Sequence, residues 1–135
     1  MDRLFLDANV LFSAAYRPKP GLLEFWKLKD VVLCSSRYAL EEARINLRHE
    51  FERSRLAKLS AHLRLFDAIP GDLPRGVSLP DKDVPILLAA MEAKATHLIP
   101  GDVQHFGPYL GRRIEGILVL TPADYLKRYR AEAAN

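Results

Sequence analysis

Short apolar segments alternate with helical segments along the chain, and this alternation constrains the fold more than any other feature. Apolar runs typical of buried strands occupy residues 4–6, 31–34, 96–99 and 117–120, and a further brief strand is predicted at 68–69. Strands that alternate with helices predict an α/β domain. We therefore expect a three-layer sandwich with a central, mostly parallel sheet flanked by helices.

The predicted helices fill the stretches between these strands. They occupy residues 10–16 with Pro18 as the stop, 21–29, a segment capped by Ser35 or Ser36 and running to 48, 50–66, 84–93, and a last helix that starts at Thr121-Pro122. Residues 84–93 are apolar on nearly all sides, which predicts a buried helix. Residues 70–80 contain three prolines and two glycines, so we expect a loop there.

The composition is that of a folded globular protein. Of the 135 residues, 49% are hydrophobic and 27% charged, which fits one domain over residues 1–135. Cys34 is the sole cysteine, which excludes an internal disulfide and favours a reducing compartment, so we expect a cytoplasmic protein. Asp7 interrupts the N-terminal apolar run, unlike in a signal peptide. No apolar stretch reaches the roughly 18 residues of a membrane span.

Acidic residues mark the predicted carboxyl edge of the sheet. Asp7 directly follows the first strand, and Asp102 follows a later strand after a short Pro-Gly step. Asp83 begins the buried helix, and Glu42 lies on the helix after the second strand. Ligands of open α/β sheets bind beyond the carboxyl ends of the strands. For each residue taken alone, a structural role is the simpler interpretation: a helix cap for Asp7 and Asp83, and a turn for Asp102.

Taken together, the four acids predict a metal site. Carboxylates that converge repel one another unless a cation compensates their charge. Oxygen ligands without a Cys or His cluster favour Mg²⁺ or Mn²⁺, and such sites suit phosphodiester hydrolysis. The scattered glycines match neither GxGxxG nor GxxxxGK[ST], so the sequence offers no competing phosphate loop.

Two adjacent glutamates, Glu41 and Glu42, are candidates for the metal ligand on the helix after the second strand. On a helical wheel, Glu42 and Asn46 lie together along one margin of the apolar face, whereas Glu41 falls on the far side. The apolar face itself consists of Ala39, Leu40, Ala43 and Leu47. We therefore select Glu42 as the candidate ligand and Asn46 as its supporting neighbour.

Four motifs resemble the PIN domain, and within it the short VapC-type toxin-like proteins. They are LFLDANVLFSA, LEEARINL, PDKDVPILLAAMEAKATHLIPGD and ILVLTPADYL, which together span nearly the whole chain. The resemblance implies that Asp7, Glu42, Asp83 and Asp102 bind the metal and that Asn9 forms a hydrogen bond near the first acid. Asp81 is an alternative to Asp83, although Asp83 has the correct distance to Gly101-Asp102. The family usually has Thr or Ser where this chain has Pro100.

The resemblance also implies a fold, an activity and partners. The implied fold is a doubly wound sheet, and the implied activity is Mg²⁺- or Mn²⁺-dependent cleavage of RNA. The implied partners are a second copy of the chain, in a homodimer, and a small antitoxin that neutralises it. The net charge of +3 permits a nucleic-acid partner. Candidate contacts to the RNA backbone are Arg37, Arg48, Arg112 and Arg113, although each also fits a solvated surface. Whether the chain is a toxin or a housekeeping nuclease stays open.

Two other classes of protein remain as alternatives. A PIN-like protein with weak or lost catalysis would still bind RNA or a partner, and Pro100 leaves room for it. A phosphoacceptor receiver module also gathers acids at strand ends, but it requires a lysine after the last strand. Here Thr121-Pro122 follows that strand, and the next lysine is Lys127.

Overall fold

The computed structural model describes residues 1–17, 20–101 and 103–134. Within these ranges, six strands and seven α-helices follow one another as β1 (Asp2–Leu6), α1 (Ala8–Tyr16), α2 (Pro20–Leu23), β2 (Val31–Ser36), α3 (Arg37–Asn46), α4 (Glu50–Ser60), β3 (Arg64–Phe66), α5 (Val84–Glu92), β4 (His97–Ile99), α6 (Val103–Phe106), β5 (Arg113–Ile114), β6 (Ile117–Val119) and α7 (Pro122–Ala133). Short 3₁₀ turns occur at Glu24–Lys27, Asp81–Asp83 and Gly107–Tyr109. The predicted α/β fold is confirmed.

The sheet is parallel except at one edge. Its strand order is β3-β2-β1-β4-β6-β5, with only β5 antiparallel to its neighbour. From β1 the chain first adds β2 and β3 on one side and then places β4 on the other. This reversal creates a topological switch point between β1 and β4, where open α/β sheets bind their ligands. Leu6 pairs with Ile99, so the two strands end level with each other.

The core forms around β1 and the apolar helix α5. The side chains of Leu4, Phe5 and Leu6 are fully buried, which explains why this strand is apolar without alternation. On α5, Leu87 and its neighbours Ile86, Ala89 and Ala90 are also buried, as the sequence predicts. Burial of a leucine or phenylalanine side chain contributes about 1.5–3 kcal/mol each, so β1 is held firmly in place.

Side-chain caps determine where two of the helices begin. Ser36, not Ser35, caps α3, because its hydroxyl accepts a hydrogen bond from the Ala39 backbone N–H at 3.0 Å. The Ser35 hydroxyl instead donates to the Leu6 carbonyl across the sheet at 2.8 Å. Thr121 caps α7 as predicted, with Pro122 in the first turn. The Ser36 cap therefore starts α3 directly after the carboxyl end of β2.

The region after α4 differs from the prediction. A helix over 50–66 and a strand at 68–69 are wrong, because α4 ends at Ser60 and β3 spans Arg64–Phe66. The leucine spacing in this segment fits a helix, but β2 has a free edge and β3 pairs with it through Cys34 and Arg64. Tertiary pairing therefore overrides the local pattern. The predicted helix over 21–29 is also shorter, with α2 followed by a 3₁₀ turn.

The segment between β4 and β6 contains elements that the sequence reading omitted. Helix α6 follows β4, and β5 forms a hairpin with β6 in which Ile114 pairs with Ile117. The two turn residues, Glu115 and Gly116, both have positive φ angles, of 49° and 81°. This is the pattern of a type I′ hairpin turn, in which Gly116 is the favoured residue type and Glu115 is not, so the sequence signal for it was weak.

Two predicted features lie outside the described residues: Pro18 as the stop of α1, and Asp102. Among the helices that the structure describes, none is long and apolar enough to cross a bilayer.

Candidate active site at the switch point

Asp7 lies at the centre of the switch point. Its backbone N–H donates to the Ile99 carbonyl at 3.2 Å, which ties the end of β1 to the end of β4. Its side-chain Oδ1 accepts from the Ala8 N–H at 2.6 Å and caps α1. The side chain is 4% exposed. Asp7 therefore both caps α1 and lies at the position predicted for the site.

The chain after β4 packs directly on the first turn of α1. A Cβ atom at Gly101 would lie 2.6 Å from the Asn9 Cβ and 2.8 Å from the Val10 backbone nitrogen. Only glycine permits this approach, and it lets the Gly101 backbone form a hydrogen bond with Asp7. Pro100, the departure from the family pattern, is buried immediately before it. The candidate Asp102, next in the sequence, lies outside the described residues.

Three acids influence one another at this edge of the sheet. The pKa of Asp7 is raised from 3.8 to about 6: burial is the largest cause, the negative charges of Asp83 and Glu42 add to the rise, and hydrogen bonds from the backbone of Ala8 and Gly101 oppose it. The three carboxylates come from β1, α3 and the start of α5. Folding therefore concentrates negative charge here at a cost in stability, which a bound cation would offset.

Asp83 is buried at the end of a 3₁₀ turn, with 6% of its surface exposed. Its Oδ2 lies 2.9 Å from Nδ1 of His105, which reaches it from α6. The carboxylate forms no capping hydrogen bond to the described residues of α5, contrary to the helix-cap interpretation. The alternative candidate Asp81 is exposed. Sequence reasoning missed His105 because it missed α6.

Glu42 is half-buried on α3 and has a tyrosine partner. Its Oε1 accepts a hydrogen bond from the Tyr38 hydroxyl at 3.2 Å. Asn46 donates its side-chain N–H to the backbone carbonyl of Glu42 at 2.8 Å, so it supports the helix rather than the carboxylate. Glu41 points elsewhere and is paired with Arg44 on the exposed face. Sequence reasoning missed Tyr38, although its i, i+4 spacing to Glu42 was a usable signal.

Burial and neighbouring acids also act on Tyr38. Burial raises the pKa of its hydroxyl, and the negative charge of Glu42 adds to the rise, followed by the hydrogen bond to Glu42 and the charges of Asp83 and Asp7. The hydroxyl therefore stays protonated, as a hydrogen-bond donor, over the whole physiological pH range.

A cavity of about 350 Å³ opens beside these acids. It is lined by Ala8, Asn9, Phe12, Glu42, Ala43 and Asn46. A second cavity of about 400 Å³ shares Phe12 and Asn46 with it and continues to Tyr16, Arg48, His49 and Glu52. Of the predicted site residues, Asn9, Glu42 and Asn46 therefore line one space, and Arg48 lines its continuation.

The other predicted arginines lie apart from this space. Arg37 forms an exposed ion pair with Asp67 at 3.0 Å. Arg112 and Arg113 are exposed beside the β5–β6 hairpin, and the charge of Arg113 acts on His97, at the opposite end of β4 from the acids. The structure therefore brings only Arg48 to the cavities beside the acids.

The described acids do not form a closed ligand set by themselves. Across residues 1–17, 20–101 and 103–134, no three Asp, Glu, His or Cys side chains form a ready metal-binding group. The arrangement is a set of carboxylates close enough to interact electrostatically but still open. Their chemistry, carboxylate oxygen with a neutral amide nearby, suits a hard divalent cation.

Comparisons with known proteins give a structural match only. No protein-family model matches the chain, and no curated protein matches its sequence significantly. The structure is similar to a chain in the crystal structure of VapBC2 from Rickettsia felis bound to a DNA fragment from their promoter. The TM-score is 0.64 at 15% sequence identity, over 88% of this chain and 98% of that chain. The protein therefore shares its fold with a chain of that complex.

Proposed function

We propose that the chain is a Mg²⁺- or Mn²⁺-dependent endoribonuclease that hydrolyses RNA phosphodiester bonds and acts as the toxin of a toxin–antitoxin pair. One observation carries the proposal: Asp7 is buried at the switch point with the carboxylates of Asp83 and Glu42 close enough to act on it, so that burial first, and these two charges in addition, raise its pKa to about 6. A fold that only needed stability would not gather buried like charges there.

The donor set fits a hard divalent ion. Asp7, Glu42 and Asp83 offer carboxylate oxygens, and Asp102 is the fourth proposed ligand. When bound, such an ion supplies Lewis-acid stabilisation of the charge that develops on the phosphate and activates water for in-line displacement. The protein holds the acids in place: the backbone N–H of Ala8 fixes Asp7, and the Tyr38 hydroxyl contacts Glu42.

Asn9 and the arginines are proposed to bind substrate. Asn9 is exposed in the cavity wall beside Glu42, where its amide can donate a hydrogen bond to a phosphate or to a nearby acid. Arg48 lines the continuation of the cavity and supplies positive charge for the RNA backbone. Arg37, Arg112 and Arg113 are proposed as peripheral contacts that raise the association rate.

The partners of the chain follow from the shared fold and the resemblance of its motifs. The structural match comes from VapBC2, which was crystallised with promoter DNA. We propose that this chain pairs with a small antitoxin protein, forms a homodimer and works in the cytoplasm.

Two adjacent glutamates provide a matched test of the activity. Cleavage of a labelled RNA is measured with Mg²⁺, with Mn²⁺ and with EDTA. Glu42→Gln is expected to lower the rate by about 10²-fold or more, because it removes one proposed ligand charge. Glu41→Gln, one residue away and bonded to Arg44, is expected to cleave like the wild type. Equal activity of both variants, or cleavage that persists in EDTA, contradicts the proposal.

A second candidate function is a PIN-like protein that binds RNA or a partner with weak catalysis. Buried Pro100, in place of the family's usual hydroxyl residue, and the open ligand set among the described residues favour it. It predicts that the protein binds Mn²⁺ and RNA yet leaves the RNA intact in the same assay.

A further inference from the structure

One hydroxyl group connects two of the acid-bearing segments. The Tyr38 hydroxyl lies 3.2 Å from Oε1 of Glu42, on its own helix, and 3.1 Å from the backbone carbonyl of Lys82. Lys82 is 44 residues further along the chain and immediately precedes Asp83. A single atom therefore contacts both the Glu42 carboxylate and the peptide that leads into Asp83.

The Tyr38 hydroxyl faces two acceptors but has only one hydrogen to donate. A phenol has one hydrogen, so it donates to either Glu42 or the Lys82 carbonyl at any moment. If the Glu42 carboxylate takes another partner, the hydroxyl still has an acceptor in Lys82. Both hydrogen bonds are exposed, so the two contacts fix the position of the hydroxyl rather than satisfy a buried donor. Glu42 is thus held in place by Tyr38 and can exchange partners while the hydroxyl keeps its contact with Lys82.

We propose that Tyr38 is a positioning residue that sets the Glu42 carboxylate relative to the Lys82–Asp83 segment and prepares both acids to bind one divalent cation. The inference rests on the proposed function, because it takes Glu42 and Asp83 as metal ligands. Partners that orient ligating carboxylates tune metal affinity by about 10–100-fold. Tyr38 is 38% exposed, so we expect the loss of its hydroxyl to cost little stability.

A second tyrosine provides a matched control. The Tyr129 hydroxyl also bridges two groups, the backbone N–H and carbonyl of Lys29, both at 3.1 Å. Neither group is a carboxylate, and both belong to the loop before β2, away from the acids. Tyr129→Phe therefore removes an equivalent bridge that has no contact with the site.

The primary experiment measures Mn²⁺ binding by titration calorimetry. Tyr38→Phe is expected to raise the Kd for Mn²⁺ about tenfold or more, while Tyr129→Phe stays within about twofold of the wild type. At saturating Mn²⁺ the cleavage rate of Tyr38→Phe should return close to that of the wild type, because all the acids remain. An unchanged Kd overturns the proposal. A rate that stays low at saturation also overturns it, since Tyr38 would then act on the substrate.

A metal-free cycle separates this inference from the proposed function. Thermal unfolding in EDTA is compared for Tyr38→Phe, Glu42→Ala and the double variant. The inference predicts that the change in Tm of the double variant differs from the sum of the two single changes, because the two residues share one contact. Additive changes in Tm overturn it. If the wild type neither binds Mn²⁺ nor cuts RNA, the proposed function fails, and this cycle alone decides whether Tyr38 positions Glu42.

Discussion

Replacing Asp7 with asparagine should stabilise the metal-free protein while it removes activity. The variant keeps the shape of the side chain and an oxygen that can accept the Ala8 N–H. It loses the charge that burial and the neighbouring acids make costly. A rise in the pKa of Asp7 from 3.8 to about 6 corresponds to about 3 kcal/mol, at about 1.4 kcal/mol per pKa unit.

The pH dependence of this gain follows from the direction of the shift. The folded protein holds the Asp7 proton more tightly than the unfolded chain, so protonation stabilises the fold. That stability is fully present below about pH 3.8 and is lost as the pH rises through about 6. Asp7→Asn should therefore match the wild type near pH 4 and exceed it by up to about 3 kcal/mol above pH 7.

The assay is urea unfolding in EDTA at several pH values between 4 and 8. Asp72→Asn, an exposed loop carboxylate, is the control and should change the free energy of unfolding by no more than about 0.5 kcal/mol. Added Mn²⁺ should stabilise the wild type and not Asp7→Asn, because only the native site binds the ion. A variant that is no more stable than the wild type at pH 8, or whose advantage does not shrink towards pH 4, refutes the reasoning.

Three further variants test the packing and the supports of the site. Gly101→Ala should lower the free energy of unfolding in urea by about 1–3 kcal/mol, because the added Cβ would lie 2.6 Å from the first turn of α1. Gly107→Ala, where the added Cβ meets open space, should lower it far less. Equal losses in the two variants would contradict the close approach. His105→Ala should weaken Mn²⁺ binding about tenfold or more by calorimetry, because it removes the contact to Asp83, and an unchanged Kd would show that this contact is irrelevant. Leu6→Ala, fully buried, should cost about 2–5 kcal/mol in the same urea assay, and a loss below 1 would exclude β1 from the core.

The sequence predicted the parts of the fold that local patterns encode. The buried strands, the apolar helix α5 and the Thr121 cap each depend on residues close together in the chain. The pairing of β3 with the free edge of β2 depends on distant residues, so helix-like leucine spacing misled the prediction. The 50–66 helix failed for this reason.

In the candidate site, too, local sequence predicted some residues, and others depend on contacts between distant residues. Asp7 was found because it follows a strand, and the level ends of β1 and β4 place it at the switch point. The i, i+4 spacing of Tyr38 to Glu42 was a local signal, but the contacts of Tyr38 with Lys82 and of His105 with Asp83 join distant residues, and no local pattern reveals them. The position of Arg113, across β6 from His97, could not be anticipated because β5 itself was not predicted.

The central claim is that the acids at the switch point bind a divalent cation. Its most direct test is a crystal soaked in Mn²⁺, with diffraction collected at the manganese absorption edge. We expect an anomalous peak in contact with carboxylate oxygens of Asp7 and Asp83, and loss of that peak in Asp7→Asn. A peak elsewhere on the surface, or none at this edge of the sheet, would contradict it.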